Sequence, residues 1–217
     1  MGRIARKNRT PDEIAAAIRD EILRGDLEPG VSARQDELAA RFSVSRVPVR
    51  EALRGLVAEG LMTCEPQKGF RVARLAPEEA REILQIRSLL EVQALRWAFA
   101  HISRESIEAA ERALDRSETT QSIDEWSQMN SEFHAAILTP CGRPQLLALI
   151  RQLNNRVDRY IRLLVALADY RNRAQREHRA ILAAIDVGNA EAATSLLKQH
   201  IEDTAVRLDD FLAGHRR

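Results

Sequence analysis

Five histidines occur in the 217 residues, and three of them fall on apolar helical stripes. In the stretch 122–138, Trp126, Met129, Asn130, Phe133, His134 and Ile137 recur at the three- and four-residue spacing of one helix face. Asn130 therefore lies one turn before His134 on the inward side. His178 shares a stripe with Ala174, Ile181, Leu182 and Ile185, and His200 lies between Leu196 or Leu197 and Thr204. A single inward imidazole is commonly an ordinary core residue with a satisfied hydrogen bond. Three that enter one apolar interior from three helices need a shared partner, because an unsatisfied buried polar group costs roughly 1–3 kcal/mol. A divalent metal supplies that partner. Neutral imidazole suits zinc or nickel, and Asn130 can add an amide oxygen. The same set with an open position could activate water, but no additional inward carboxylate is placed as its general base.

Arg87 is a second inward anomaly. Ile83, Leu84, Leu90 and Ala94 bracket it on an apolar stripe, where a long cation is costly unless paired. Two readings stand: an i, i+4 ion pair with Glu91, or a clamp for a carboxylate ligand whose other oxygen meets the metal. Asn154 and Arg162, on the helical stretch 143–168, are candidates for the same cavity without a signature of their own.

A different chemistry is written near the N-terminus. Arg46, Arg50 and Arg54 recur every four residues, with Val47 beside them, opposite an apolar back of Val49, Ala52, Leu53, Leu56 and Val57. Ser45 stands at the N-cap position and Pro48 in the first turn, where a missing N–H is tolerated. Such a ridge is either a solvated charged face or a surface for the major groove and its phosphates. Its neighbours favour DNA. Thr10, Pro11 and Glu13 form a capping box that starts a helix carrying Ile14, Ile18 and Ile22, and Gly25 ends it. Ser32 and Gln35 are expected to form a second capping box before Leu38, Ala39 and Phe42. The turn Ser43-Val44-Ser45 then makes a sharp helix-turn-helix corner. After Gly60 the period changes: Leu61–Glu65 and Phe70–Leu75 read as a two-stranded hairpin. Lys68 at its tip can meet a phosphate, and Gly69 serves either a close backbone approach or only the turn.

These sites must be positioned by two domains, 1–75 and 77–217. From Pro77 onward the pattern predicts six helices, 77–101, 104–119, 122–138, 143–168, 170–187 and 189–214, with breaks at 139–142, around Asp169 and at Gly188-Asn189. Each carries an apolar stripe, so the fold class is mainly α: an N-terminal winged helix-turn-helix and a C-terminal all-α six-helix bundle. Apolar residues make up 45% of the chain, enough for real cores and against disorder. Residues 1–74 carry 14 basic against 11 acidic side chains, a mild lean that does not by itself establish a nucleic-acid partner. Cys64 and Cys141 have no metal or redox spacing. The basic start lacks an apolar stretch behind it, and no apolar run approaches membrane-spanning length, so a cytoplasmic protein with no membrane partner is expected.

The run Val44-Ser45-Arg46-Val47-Pro48-Val49-Arg50-Glu51-Ala52-Leu53, with Asp36-Glu37-Leu38-Ala39 before it and Glu59-Gly60-Leu61 and Lys68-Gly69-Phe70 after it, resembles the DNA-binding domain of the GntR family of regulators. The resemblance implies base and phosphate contacts from Arg46 and Arg50, supported by Ser45 and Val47, and minor-groove contacts from Lys68 and Gly69. Many relatives place an arginine early in the second helix; this chain has Asp36 there, with Arg34 nearby as a substitute. The remainder resembles the FCD effector domain, through Arg87-Ser88-Leu89-Leu90-Glu91, Asn130-Ser131-Glu132-Phe133-His134, Glu177-His178-Arg179-Ala180-Ile181-Leu182 and His200. The six-helix count is similar to the VanR-like subgroup. This likeness implies Asn130, His134, His178 and His200 as ligands of a divalent metal, zinc or nickel, with Asn130 where many members have Asp. It implies a small carboxylate effector, a homodimer, double-stranded operator DNA as partner, and repression relieved by ligand. A purely structural metal stays open as the alternative.

Overall fold

Thr10 starts the first helix by a reciprocal cap. Its hydroxyl accepts from the Glu13 N–H at 3.2 Å, and the Glu13 carboxylate accepts from the Thr10 N–H at 2.9 Å. A cap of this kind stabilises a helix by about 1 kcal/mol. Helix α1 (Pro11–Arg24) buries Ile14, Ile18 and Ile22 and ends at Gly25, whose φ of +84° is the left-handed conformation that glycine adopts without penalty. The computed structural model describes residues 9–65, 68–74 and 77–214. It divides into two units, Met1–Leu75 and Ala76–Arg217.

In the first unit α1 is followed by β1 (Ser32–Ala33), α2 (Gln35–Phe42), α3 (Arg46–Ala58), β2 (Met62–Glu65) and β3 (Gly69–Val72). The core joins Ile14, Ile18 and Ile22 to Leu38, Phe42, Val49, Leu53, Leu56, Leu61, Met62, Phe70 and Val72. The apolar periods of three helices and the alternation of one hairpin thus meet in a single interior. The expected capping box at Ser32 and Gln35 is absent. Ser32 and Ala33 instead pair with Arg71 and Phe70, making an antiparallel three-stranded sheet in the order β1-β3-β2. Edge pairing prevails because β3 would otherwise leave backbone groups unbonded; the Gly30 N–H donates to Val72 O and the Val72 N–H to Val31 O, both at 2.9 Å. Arg34 takes the N-cap position of α2 without a side-chain cap bond. The hairpin is seen as β2 and β3, while Pro66 and Gln67 of its turn, and Leu75 and Ala76 of the joint, lie outside the described residues.

The second unit contains, among the described residues, α4 (Pro77–Ala98), α5 (Arg104–Thr119), α6 (Ile123–Leu138), α7 (Pro144–Val165), α8 (Ala168–Asp186) and α9 (Ala190–Gly214), with short 3-10 turns at Phe99–His101 and Thr139–Cys141. Helix α4 runs along α9 and also meets α7; α5 lies on α6, and α8 on α9. The break expected around Asp169 falls earlier, at Ala166 and Leu167. Asp169 occupies the first turn of α8, where a negative charge complements the helix dipole. No helix among the described residues is long and apolar enough to cross a membrane.

Candidate functional site

The interior of the helical unit brings three imidazoles together. His134 from α6, His178 from α8 and His200 from α9 are all buried. One ring nitrogen of each lies within 4.8 Å of the others. Ring centroids are 4.5 Å apart for His178 and His200, 5.4 Å for His134 and His178, and 5.8 Å for His134 and His200. Asn130 is half-buried one turn before His134 on α6.

Two carboxylates orient the cluster from behind. Glu91 on α4 is fully buried; one oxygen accepts from the Arg87 guanidinium at 2.7 and 2.8 Å, and the other faces His134 Nδ1 at 2.9 Å. Glu177 on α8 repeats the arrangement, holding His200 Nδ1 at 2.8 Å while ion-paired to Arg173, which also reaches Asp203. An ionised carboxylate only accepts, so Nδ1 of both His134 and His200 carries the proton, and in a neutral ring Nε2 is then the lone pair. This is the tautomer that a metal-ligating imidazole needs, with the outer-sphere carboxylate that usually fixes it.

Among the described residues His178 has no such carboxylate. Its Nε2 lies 3.1 Å from Nε2 of His200, so in the absence of a ligand His178 must donate and His200 accept. Phe133 and Trp126 wall the ring, at centroid distances of 4.6 and 6.5 Å. Burial, with the two neighbouring imidazoles, holds His178 well below the usual histidine range. Burial also lowers His200, against the opposing pull of Glu177. In both, burial favours the neutral ring, the state that coordinates. Burial pushes Glu91 upward, but Arg87 and His134 outweigh it and bring the carboxyl down to about 2. A cation bound between the three rings would replace the single His178–His200 hydrogen bond with three coordinate bonds. The donor set fits a divalent ion.

Arg87, only 4% exposed, is committed to Glu91. The pairing reading of this residue is therefore realised, through Nε and Nη2 on one oxygen of Glu91, which leaves Nη1 as a further donor. Asn154 donates to Ser131 at 3.4 Å, and Arg162 is held by Asp158 at 2.6 Å and by Asp124. The residues that single-helix periodicity did not single out are Glu177 and Arg173, and for Trp126 it gave only a place on the His134 stripe. A signal existed: the spacing Arg-x-x-x-Glu occurs at 87/91 and again at 173/177. Trp126, at 1% exposure, has an indole N–H without a hydrogen-bond partner among the described residues.

In the first unit, α3 turns its apolar side inward and leaves Ser45, Arg46, Val47, Arg50 and Arg54 exposed, Val47 by 51%. The Ser45 hydroxyl makes no cap bond although the residue holds the N-cap position. Among the described residues Arg50 has no ion pair, whereas Arg46 is paired with Asp36 of α2. Arg34 lies 3.3 Å from Glu37, and Lys68 2.7 Å from Glu65, all exposed. Gly69 has φ +73° with open space where a Cβ would stand, so the turn alone accounts for it within this chain.

Residues 10–72 match the bacterial regulatory proteins of the gntR family, and residues 82–203 match the FCD domain. The chain belongs to the GntR family. It is a transcriptional regulator with an N-terminal winged helix-turn-helix and a C-terminal FCD domain, not an enzyme. Over 211 residues it is 28% identical to the HTH-type transcriptional repressor GlaR of Escherichia coli, covering 91% of this chain and 95% of that protein. It is 30% identical over 187 residues to the HTH-type transcriptional regulator YdhC of Bacillus subtilis, covering 83% and 80%. The solved structure of E. coli McbR/YncC aligns with a TM-score of 0.81 over 93% of this chain and 98% of that one; at 22% identity it shows a shared fold.

Proposed function

We propose that this GntR regulator is a repressor released by a small carboxylate, which binds beside a divalent ion in the FCD domain. The observation that carries this reading is the histidine cluster: three buried imidazoles, each with a ring nitrogen within 4.8 Å of the others, two of them backed by carboxylates. His134, His178 and His200 are the ligands, Asn130 the fourth protein group, and zinc or nickel the ion suited to them. When bound, the ion supplies a Lewis acid that attracts an anionic oxygen. All four protein donors are neutral, so an anionic effector meets charge that the ligands do not compensate. The unpartnered indole N–H of Trp126, against the His178 ring, is a donor such a guest could use.

Operator DNA is held by the recognition helix through Arg46 and Arg50, with Ser45 and Val47 beside them. Arg34 and the wing residues Lys68 and Gly69 contact the backbone and minor groove. A homodimer presents two such helices to a roughly palindromic site, and the protein works in the cytoplasm where that DNA lies. The repressor sign is supported by the name of the GlaR relative. The test uses a duplex selected from a random pool and reads its binding by fluorescence anisotropy. Zinc-loaded protein is expected to release the duplex on addition of a carboxylate from a panel that includes citrate and malonate, and metal-stripped protein is not. Unchanged binding across the whole panel would count against effector control.

A further inference from the structure

The N-terminal ends of α2 and α3 meet in one ion pair, between Asp36 in the first turn of α2 and Arg46, the first residue of α3. Both side chains are exposed, by 64% and 72%, so the pair contributes little to stability; exposed pairs are worth about 0–1 kcal/mol. Its position is what matters. Arg46 opens the helix that bears Val47 and Arg50, and a carboxylate on that face repels every phosphate that approaches it. We propose that Asp36 is a specificity-determining residue of the DNA interface, which holds the Arg46 guanidinium in one orientation for a guanine edge. The proposal rests on the recognition-helix reading given above.

Two physical effects act together. An arginine side chain that is free in solution must be ordered when it docks, and a carboxylate that fixes its planar fork beforehand removes part of that cost. The fork then offers two parallel N–H groups, which suit guanine O6 and N7 and no other major-groove edge. The negative charge of Asp36 meanwhile weakens attraction to the phosphate backbone, which supplies most sequence-independent binding. Asp36 thus lowers non-specific affinity while sharpening one base position. An unpaired arginine at position 46 would do the opposite, reaching phosphates and several bases alike.

The experiment is selection from a random duplex pool, followed by affinities for all four bases at each enriched position. It is run with the wild type, Asp36→Ala, Asp36→Asn, Arg46→Ala and the double variant Asp36→Ala/Arg46→Ala. Circular dichroism checks that each variant is folded. Asp36→Ala is expected to reduce discrimination at one position by at least about fivefold, the lower end of a good bidentate contact, while binding to unrelated DNA rises. Asp36→Asn, which keeps an acceptor without the charge, is expected to fall between. In the Arg46→Ala background the Asp36 substitution should no longer alter that position. A wild type that enriches no motif overturns the recognition-helix reading and this proposal with it. A clear motif left unchanged by Asp36→Ala, or affinity raised equally for all sequences, overturns this proposal alone.

Discussion

His178 and His200 face each other through Nε2 atoms 3.1 Å apart, in an interior where both rings are buried. Burial depresses both, so the folded protein resists the protons that the unfolded chain accepts at the ordinary histidine value of about 6.5. The unfolded state then binds more protons below that pH, and linkage makes stability fall with it. The contribution is fully present above about pH 6.5 and is lost as pH drops towards the lower folded values. Thermal melts of chelator-treated protein between about pH 7.5 and 5.5 should show a declining Tm. His178→Leu should flatten that decline, and a Tm that is level in the wild type would contradict the buried neutral state.

Glu177 orients His200 while remaining partly exposed itself, so it can be changed without leaving a buried charge. Glu177→Gln should preserve the fold and weaken zinc binding by about 10–100-fold, the usual effect of losing an outer-sphere partner. Competition with a chromophoric chelator measures this. Equal affinity in variant and wild type would remove Glu177 from the site.

Arg87→Met strips the counter-ion from a carboxylate with no exposure at all. Breaking a buried pair in this way costs about 3–5 kcal/mol, more than the slight loss expected of a surface i, i+4 pair. Urea denaturation should show a large drop in midpoint, with part of it recovered in Arg87→Met/Glu91→Gln. A midpoint within error of wild type would mean that the Arg87–Glu91 pair carries no structural weight.

Arg50 stands off the core side of α3 with no ion pair among the described residues. Arg50→Ala should leave the melting curve intact and weaken specific DNA binding by about 1–3 kcal/mol if one base contact is lost. Wild-type binding should fall steeply with added salt through counterion release. Undiminished affinity in this variant would contradict the recognition-helix assignment.

Much of this was legible from helical period alone. The 3.6-residue stripes located the six α-helices described in the second unit and the inward facing of His134, His178 and His200, because a helix presents one face and that face is buried. Period says nothing about which stripes converge, so the match of Glu91 to His134 and of Glu177 to His200 needed the bundle. The third strand escaped for a related reason. Two residues, Ser32 and Ala33, are too few to show alternation, and Ser32 with Gln35 mimics a cap. Asp36 read as a departure from a family pattern; its partner, Arg46, lies ten positions on, across the helix-turn-helix corner.

The metal content of the protein tests the central claim most directly. After loading with zinc or nickel and removal of free ion, elemental analysis should find about one ion per chain, the stoichiometry of a single three-histidine site. Retention should fall in His178→Ala and rise in Asn130→Asp, where a negative donor replaces a neutral one. No retained ion under any loading condition, with His134→Ala and His178→Ala as stable as the wild type, would make these three histidines ordinary core residues and contradict the account.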